Sequence, residues 1–237
     1  MKKAFFLLGI GIISAFATRA QGVSVGPEIG INSTSFSERY NGVDVSDGMR
    51  AGIKVGGVVD IGFTRHFSLQ PGLFYSMKGA QERYSTTVTQ ANGTIRTNEV
   101  KNDFRINYIE LPVNLEFKFG QRRFGQFFFG GGPYAAVALN GTITNANGTA
   151  LETPTGRVIT SENNSSSSAR IGNTLADDIR PIDAGLNLNL GYESPMGLFV
   201  RGNLGLGLAN ILPEGDSDNF IRNWGMGISV GYLFGRY

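Results

Sequence analysis

Residues 67–79 read FSLQPGLFYSMKG, with Phe67, Leu69, Pro71, Leu73, Tyr75 and Met77 at every second place and mostly small or polar residues between them. Successive side chains of a β-strand point to opposite faces, so this spacing predicts a strand with one apolar and one polar face. The length of the run constrains the chain further. Strands of small soluble sheets mostly end after about five or six residues, whereas a tilted strand crossing a bilayer needs about nine to eleven.

The same period recurs along the chain, and with the first run it makes eight segments. The apolar members of the others run Val23–Ile31, Ala51–Phe63, Ile109–Phe119, Phe127–Leu139, Ile182–Tyr192, Leu198–Leu208 and Trp224–Phe234. Connections alternate in length. Those at Thr64–His66, Gly120–Gly125 and Glu193–Gly197 are short, while Ser33–Gly48, Ala80–Asp103, Asn140–Arg180 and Leu212–Asn223 are long and polar. An even number of antiparallel strands, with short turns at one end and long loops at the other, is the layout of an outer-membrane barrel. The expected fold is therefore all-β, an eight-stranded antiparallel transmembrane β-barrel wound as an up-and-down meander.

Each face has its own chemistry. Phe63, Phe67, Phe117, Phe119, Phe127, Phe129, Tyr192, Tyr232 and Phe234 fall on the apolar face, each within a few positions of a short turn or the C-terminus. Aromatic residues collect at the membrane–water boundary, so these are expected to form one girdle, with Tyr75 and Trp224 near the other boundary. The opposite face carries Arg50, Lys54, Lys78, Lys118 and Arg201 together with Glu28, Asp60, Glu110, Glu116 and Asp183. Eight strands leave an interior that side chains just fill, and buried charges persist only when paired. An ion-paired plug is expected rather than a water-filled pore.

The first 20 residues read as a targeting segment. Lys2 and Lys3 precede the apolar run AFFLLGIGIISAFA, and Ala20 stands before Gln21, which predicts a secretory signal peptide over 1–20 and a barrel over 21–237. Of the 21 Lys and Arg, Lys2, Lys3 and Arg19 lie in that leader, and none of the 19 Asp and Glu does. The exported chain is then nearly neutral, which removes the basis for a nucleic-acid partner. It has no Cys, so no disulfide holds it together.

At the pieces FSLQPGLFYSMKG (67–79), YIELPVNLEFKF (108–119), GGGPYAAVALNG (130–141), DAGLNLNLGYE (183–193), RGNLGLGLANI (201–211) and GMGISVGYLFG (225–235), the chain resembles the PorT-like outer-membrane β-barrel proteins of Bacteroidetes. The resemblance implies insertion by the barrel-assembly machinery, with outer-membrane lipid around the wall. It implies no single activity, although a few members serve protein secretion. The ending departs from the usual outward aromatic, since Phe234 is followed by Gly235, Arg236 and Tyr237.

No catalytic set emerges. The one His, His66, lies in a short turn at the periplasmic end, and Glu110 and Glu116 stand roughly 20 Å apart along a strand, which suits ion pairing better than acid–base work. Glycine pairs such as Gly205 and Gly207 are followed by no helical period, so they do not form a phosphate loop. The cluster EGDSDN (214–219) lacks the spacing of a calcium loop. The loop from Asn140 to Arg180 is low in large apolar residues and reads as a mobile segment or a partner-binding arm. The expectation is a non-enzymatic outer-membrane barrel, without cofactor or metal, whose loops or rim contact a secretion or envelope protein. The alternatives are a narrow solute channel and a soluble barrel of lipocalin type.

Overall fold

The computed structural model describes residues 22–46, 48–90, 94–153 and 156–235. The leader and Tyr237 lie outside the described residues. The strands are β1 (Gly22–Tyr40), β2 (Val43–Ser46), β3 (Gly48–Gly62), β4 (Phe67–Thr89), β5 (Ile95–Phe119), β6 (Gln126–Thr153), β7 (Gly156–Ser168), β8 (Ile182–Glu193), β9 (Leu198–Gly207) and β10 (Phe220–Tyr232).

Eight of them close a ring in the order β10-β9-β8-β6-β5-β4-β3-β1, and β1 pairs back onto β10 from Glu28↔Gly231 to Arg39↔Phe220. Every neighbouring pair is antiparallel, and the ring follows chain order, so the barrel is an up-and-down meander. The other two strands are additions beyond the wall. β2 folds back on β1 through Asn41 and Gly42, both at positive φ (49° and 77°), the backbone that a tight hairpin of this twist requires. β7 pairs with the far half of β6.

Burial follows the alternation. Along β4, Ser68, Gln70, Phe74, Ser76 and Lys78 are buried, whereas Phe67 and Leu73 are exposed. On β8, Asp183 and Asn189 are buried while Ile182, Leu186, Leu188 and Leu190 are exposed. The apolar face is thus the outer wall, and the polar face lines the interior. A soluble barrel of lipocalin type would need the reverse, so that alternative falls.

The short connections hold tight turns at one end. The Thr64 hydroxyl accepts hydrogen bonds from the backbone N–H groups of His66 (3.2 Å) and Phe67 (3.0 Å), which turns β3 into β4. At the other end the expected polar loops are largely strands. The β4–β5 ladder continues unbroken to Thr89↔Ile95, and β6 continues to Thr153 with β7 returning along it, so most of 140–168 is a long hairpin. These extensions carry Thr, Val and Ile at strand-compatible spacing, with both faces polar because both face water.

Two irregularities interrupt the wall: β5 and β6 shift register between Asn107 and Tyr108, and a second step lies between β3 and β4. β3 and β4 pair at Met49↔Ala80 and again at Lys54↔Ser76, with an extra β3 residue between. The inward-facing Asn32 and Thr34 of β1 reach past this step to β4. Asn32 Nδ2 donates to the Met77 carbonyl at 3.0 Å, and the Thr34 hydroxyl both donates to the Gly79 carbonyl and accepts from its N–H, each at 2.9 Å. Side chains replace the backbone partners that β3 withdraws.

The facing of β8 makes a direct prediction. Leu188→Arg should lower unfolding stability in lipid vesicles by about 2–4 kcal/mol, the cost of a charge on the lipid face at mid-membrane. An unchanged denaturant midpoint would contradict the orientation of the strand.

Candidate functional site

The interior is built in charged layers. In the layer toward the short turns, Arg201 of β9 bridges three strands: Nη1 lies 3.1 Å from Glu28 on β1, and Nη2 lies 3.0 Å from Glu116 on β5 and also bonds the Gln70 side-chain carbonyl on β4. Ser229 donates to the second Glu28 oxygen at 2.7 Å. Beside this group, Lys118 lies 2.7 Å from Asp60 and 3.4 Å from Glu193. Arg201 also sits over the rings of Phe128 (5.3 Å) and Phe199 (5.1 Å), so its planar cation packs against aromatic faces as well as carboxylates.

The layer toward the long hairpins centres on Glu110 and Asp183. Glu110 accepts from Lys54 (3.2 Å) and Lys78 (2.8 Å), and Lys78 continues to Asp183 at 3.1 Å. Asp183 is fully buried and also accepts from Asn223 at 3.1 Å and from the Tyr134 hydroxyl at 3.3 Å. Glu110 and Glu116 therefore belong to separate layers, each held by its own cations.

Two apolar clusters pack among these charges. Val58, Phe74, Phe128, Phe199 and Leu233 pack together, with Phe74 level with Glu110. The Phe128 and Phe199 rings lie over Gly191 and Gly231, where a Cβ would collide with them. Toward the hairpins, Phe36, Ala80, Ile106, Tyr108 and Tyr134 meet Ile179 and Ile211, which are brought into the mouth by the β7–β8 and β9–β10 connections. Those connections are tied down by backbone bonds from Arg180 N–H to the Ile211 carbonyl (2.7 Å) and from Ile211 N–H to the Ile221 carbonyl (2.8 Å). The space left beside Lys54, Lys78 and Glu110 is about 60 Å³, room for a few waters.

Of the charged set expected inside, Glu28, Lys54, Asp60, Lys78, Glu110, Glu116, Lys118, Asp183 and Arg201 line this interior. Arg50 does not. Its Nε pairs with Asp103 at 2.5 Å, and the β4–β5 ladder keeps one register from Phe67↔Phe117 to Thr89↔Ile95. Asp103 is seven positions from inward Glu110 and so lies on the outer face, and the step in β3 carries Arg50 out to it. Glu193 and Asp103 were absent from the expected set and prove to be ion-pair partners. Glu193 shares the parity of Asp183, a signal its place at the edge of a turn obscures.

The aromatic set forms a continuous chain of rings from β4 to β8, and Tyr232 and Phe234 make a separate pair near the C-terminus. Phe67 and Phe117 have centroids 5.1 Å apart, Phe117 and Phe129 5.4 Å, Phe119 and Phe127 5.7 Å, Phe127 and Tyr192 5.1 Å, and Tyr232 and Phe234 4.7 Å. Phe63 lies on the same rim, where its N–H donates to the Phe67 carbonyl. His66 stacks on Phe117 at 5.9 Å, within this belt. Asp216 of the acidic loop accepts from the backbone N–H groups of Asp218 (2.9 Å) and Asn219 (2.8 Å), which hold its carboxyl below the usual range and use its oxygens in a turn.

The layered pairing predicts a large asymmetry on mutation. Arg201→Gln leaves Glu28 and Glu116 buried without their cation and should lower stability by about 3–5 kcal/mol. Adding Glu28→Gln and Glu116→Gln should restore part of that loss. Equilibrium unfolding in vesicles reads both, and a single-variant loss below about 1 kcal/mol would contradict the pairing.

A family model described as "Outer membrane protein beta-barrel domain" matches residues 18–212. No curated protein matches the chain. Among solved structures it is similar to Ail, the attachment invasion locus protein of Yersinia pestis, with 11% identity, 90% of this chain and 100% of that one covered, and a TM-score of 0.36. It is similar also to Neisserial surface protein A, with 12% identity, 91% and 99% covered and a TM-score of 0.36. For the N-terminal β-barrel domain of Pseudomonas aeruginosa OprF the values are 14%, 87% and 97%, and 0.29. On the match over 18–212, the chain belongs to the outer membrane protein β-barrel domain family and resides in the outer membrane.

Proposed function

We propose that this barrel is a non-enzymatic, PorT-like component of the outer membrane that works through its extracellular hairpins, as a structural, surface-contact or secretion-accessory protein. The observation that carries the reading is the ion-paired interior: with charged side chains filling the barrel, the working surface is the part beyond the membrane. The interior carboxylates are bound to cations and His66 is packed in the periplasmic girdle, which supports a role without catalysis.

The hairpin of β6 and β7 is the surface best suited to a protein partner. Among the described residues β7 pairs only with β6, so its other edge presents the backbone of 156–168 to solvent. Its sequence GRVITSENNSSSS is polar enough to remain soluble while offering a strand edge. A partner that adds a strand there would gain main-chain hydrogen bonds from a preformed template. The barrel-assembly machinery acts earlier, at insertion.

The test replaces 147–163 with Asn-Gly, which joins Ala146 to Asn164, a pair already facing each other in the ladder. Affinity capture of the full chain from native outer membranes should recover an envelope or secretion protein in stoichiometric amount. The shortened barrel should insert normally and lose it. Capture unaffected by the deletion would move the contact elsewhere, and stable single-channel conductance in planar bilayers would replace this reading with the narrow-channel one.

A further inference from the structure

The step in β3 leaves a groove of about 660 Å³ in the outer wall, bordered by Ile31, Ala51, Ile53, Met77, Met226 and Ile228. It lies at the outer boundary of the membrane: from Phe67 in the periplasmic girdle to Met77, β4 is as long as a tilted crossing requires, about nine to eleven residues. Just beyond Met77 the apolar groove ends at cations. Arg105 borders it, pairing in register with Gly79, which has no side chain to cover it, and the Arg105 Nε is buried without an acceptor among the described residues. Arg50 borders it too, with Nε on Asp103 and Nη1 donating to the Ala51 carbonyl at 3.1 Å. Further out on the same face, Arg83 and Lys101 are direct cross-strand partners and both exposed, an unfavourable like-charge pair that an anion would relieve.

We propose that this groove is a binding site for one phosphate-bearing lipid of the outer leaflet, with an acyl chain laid along Ile31, Ile53 and Met226 and the headgroup phosphate held by Arg105 beside Arg50. The complementarity has two parts. An apolar channel open to hydrocarbon takes the chain, and a guanidinium at headgroup height takes the phosphate, which Arg binds with two parallel N–H donors. A smaller apolar groove of about 450 Å³ adjoins it at Ile29, Val55, Val200 and Val230 but has no cation in its lining, so the arginines distinguish this one. Asn32 and Thr34 hold the step in β3 in place from inside.

Native mass spectrometry of the full barrel in neutral detergent tests this with phosphatidylglycerol and with diacylglycerol of the same acyl chains. Wild type should retain one phosphatidylglycerol under activation and bind diacylglycerol at least tenfold less. Arg105→Gln should lower phosphatidylglycerol occupancy about tenfold, and Arg105→Lys should keep most of it. Ala51→Trp, which fills the groove and leaves both cations, should lower it as well. Each variant is first checked for the heat-dependent gel shift of a folded barrel. Equal retention of the two lipids, or undiminished binding by Arg105→Gln, would make the lipid non-specific and overturn the proposal. Displacement of phosphatidylglycerol by millimolar inorganic phosphate alone would reduce the site to a free-anion site and overturn it equally.

Discussion

The bilayer core offers no water to an unpaired strand edge, and the ladder between β1 and β10 answers that constraint for the whole chain. Once the first and last strands must meet, the antiparallel neighbours between them fix the circumference. Eight strands fix the interior at a width that side chains can span. Everything inside then has to be filled, and everything outside has to tolerate hydrocarbon.

The chain fills the interior with charge rather than with aliphatic groups, because the apolar half of each strand is already committed to the lipid. Charges in so narrow a space are stable only as partners. Arg201 joins β9 to β1, β4 and β5, and Lys78 joins β4 to β8 as well as to its neighbour β5, so the cations act as cross-braces between strands that the backbone ladder does not connect directly. The cluster of Phe36, Tyr108, Ile179 and Ile211 covers them on the hairpin side. The same arrangement that stabilises the barrel also fills it, which turns attention to the hairpins and the outer wall.

Much of this was legible in the sequence because it depends on a period of two. Parity alone sends Leu188 outward and Asn189 inward, and parity with proximity to short turns places Phe67, Phe117, Phe127 and Tyr192 in one belt. Features that break or lack the period were hidden. Arg50 has the parity of Lys54, but the extra residue between Met49 and Lys54 changes where its side chain goes, and nothing in the composition of MRAGIK announces a step. The outer halves of β4, β5 and β6 escape the pattern because water on both faces removes the amphipathic signal, leaving only the strand preference of their Thr, Val and Ile. Ile179 and Ile211 stand in connections with no strand period to place them, and only the folded mouth of the barrel brings them together.

The central claim is that the lumen is an ion-paired plug, and the natural absence of Cys permits a direct measurement. Asn189→Cys and Ser229→Cys place single thiols inside the barrel, and Ser165→Cys places one on the extracellular hairpin. Labelling by a membrane-impermeant maleimide in intact vesicles should be fast at 165 and absent at 189 and 229 until the barrel is unfolded. Rapid labelling at 189 or 229 in the folded protein would show a water-filled lumen and contradict the account.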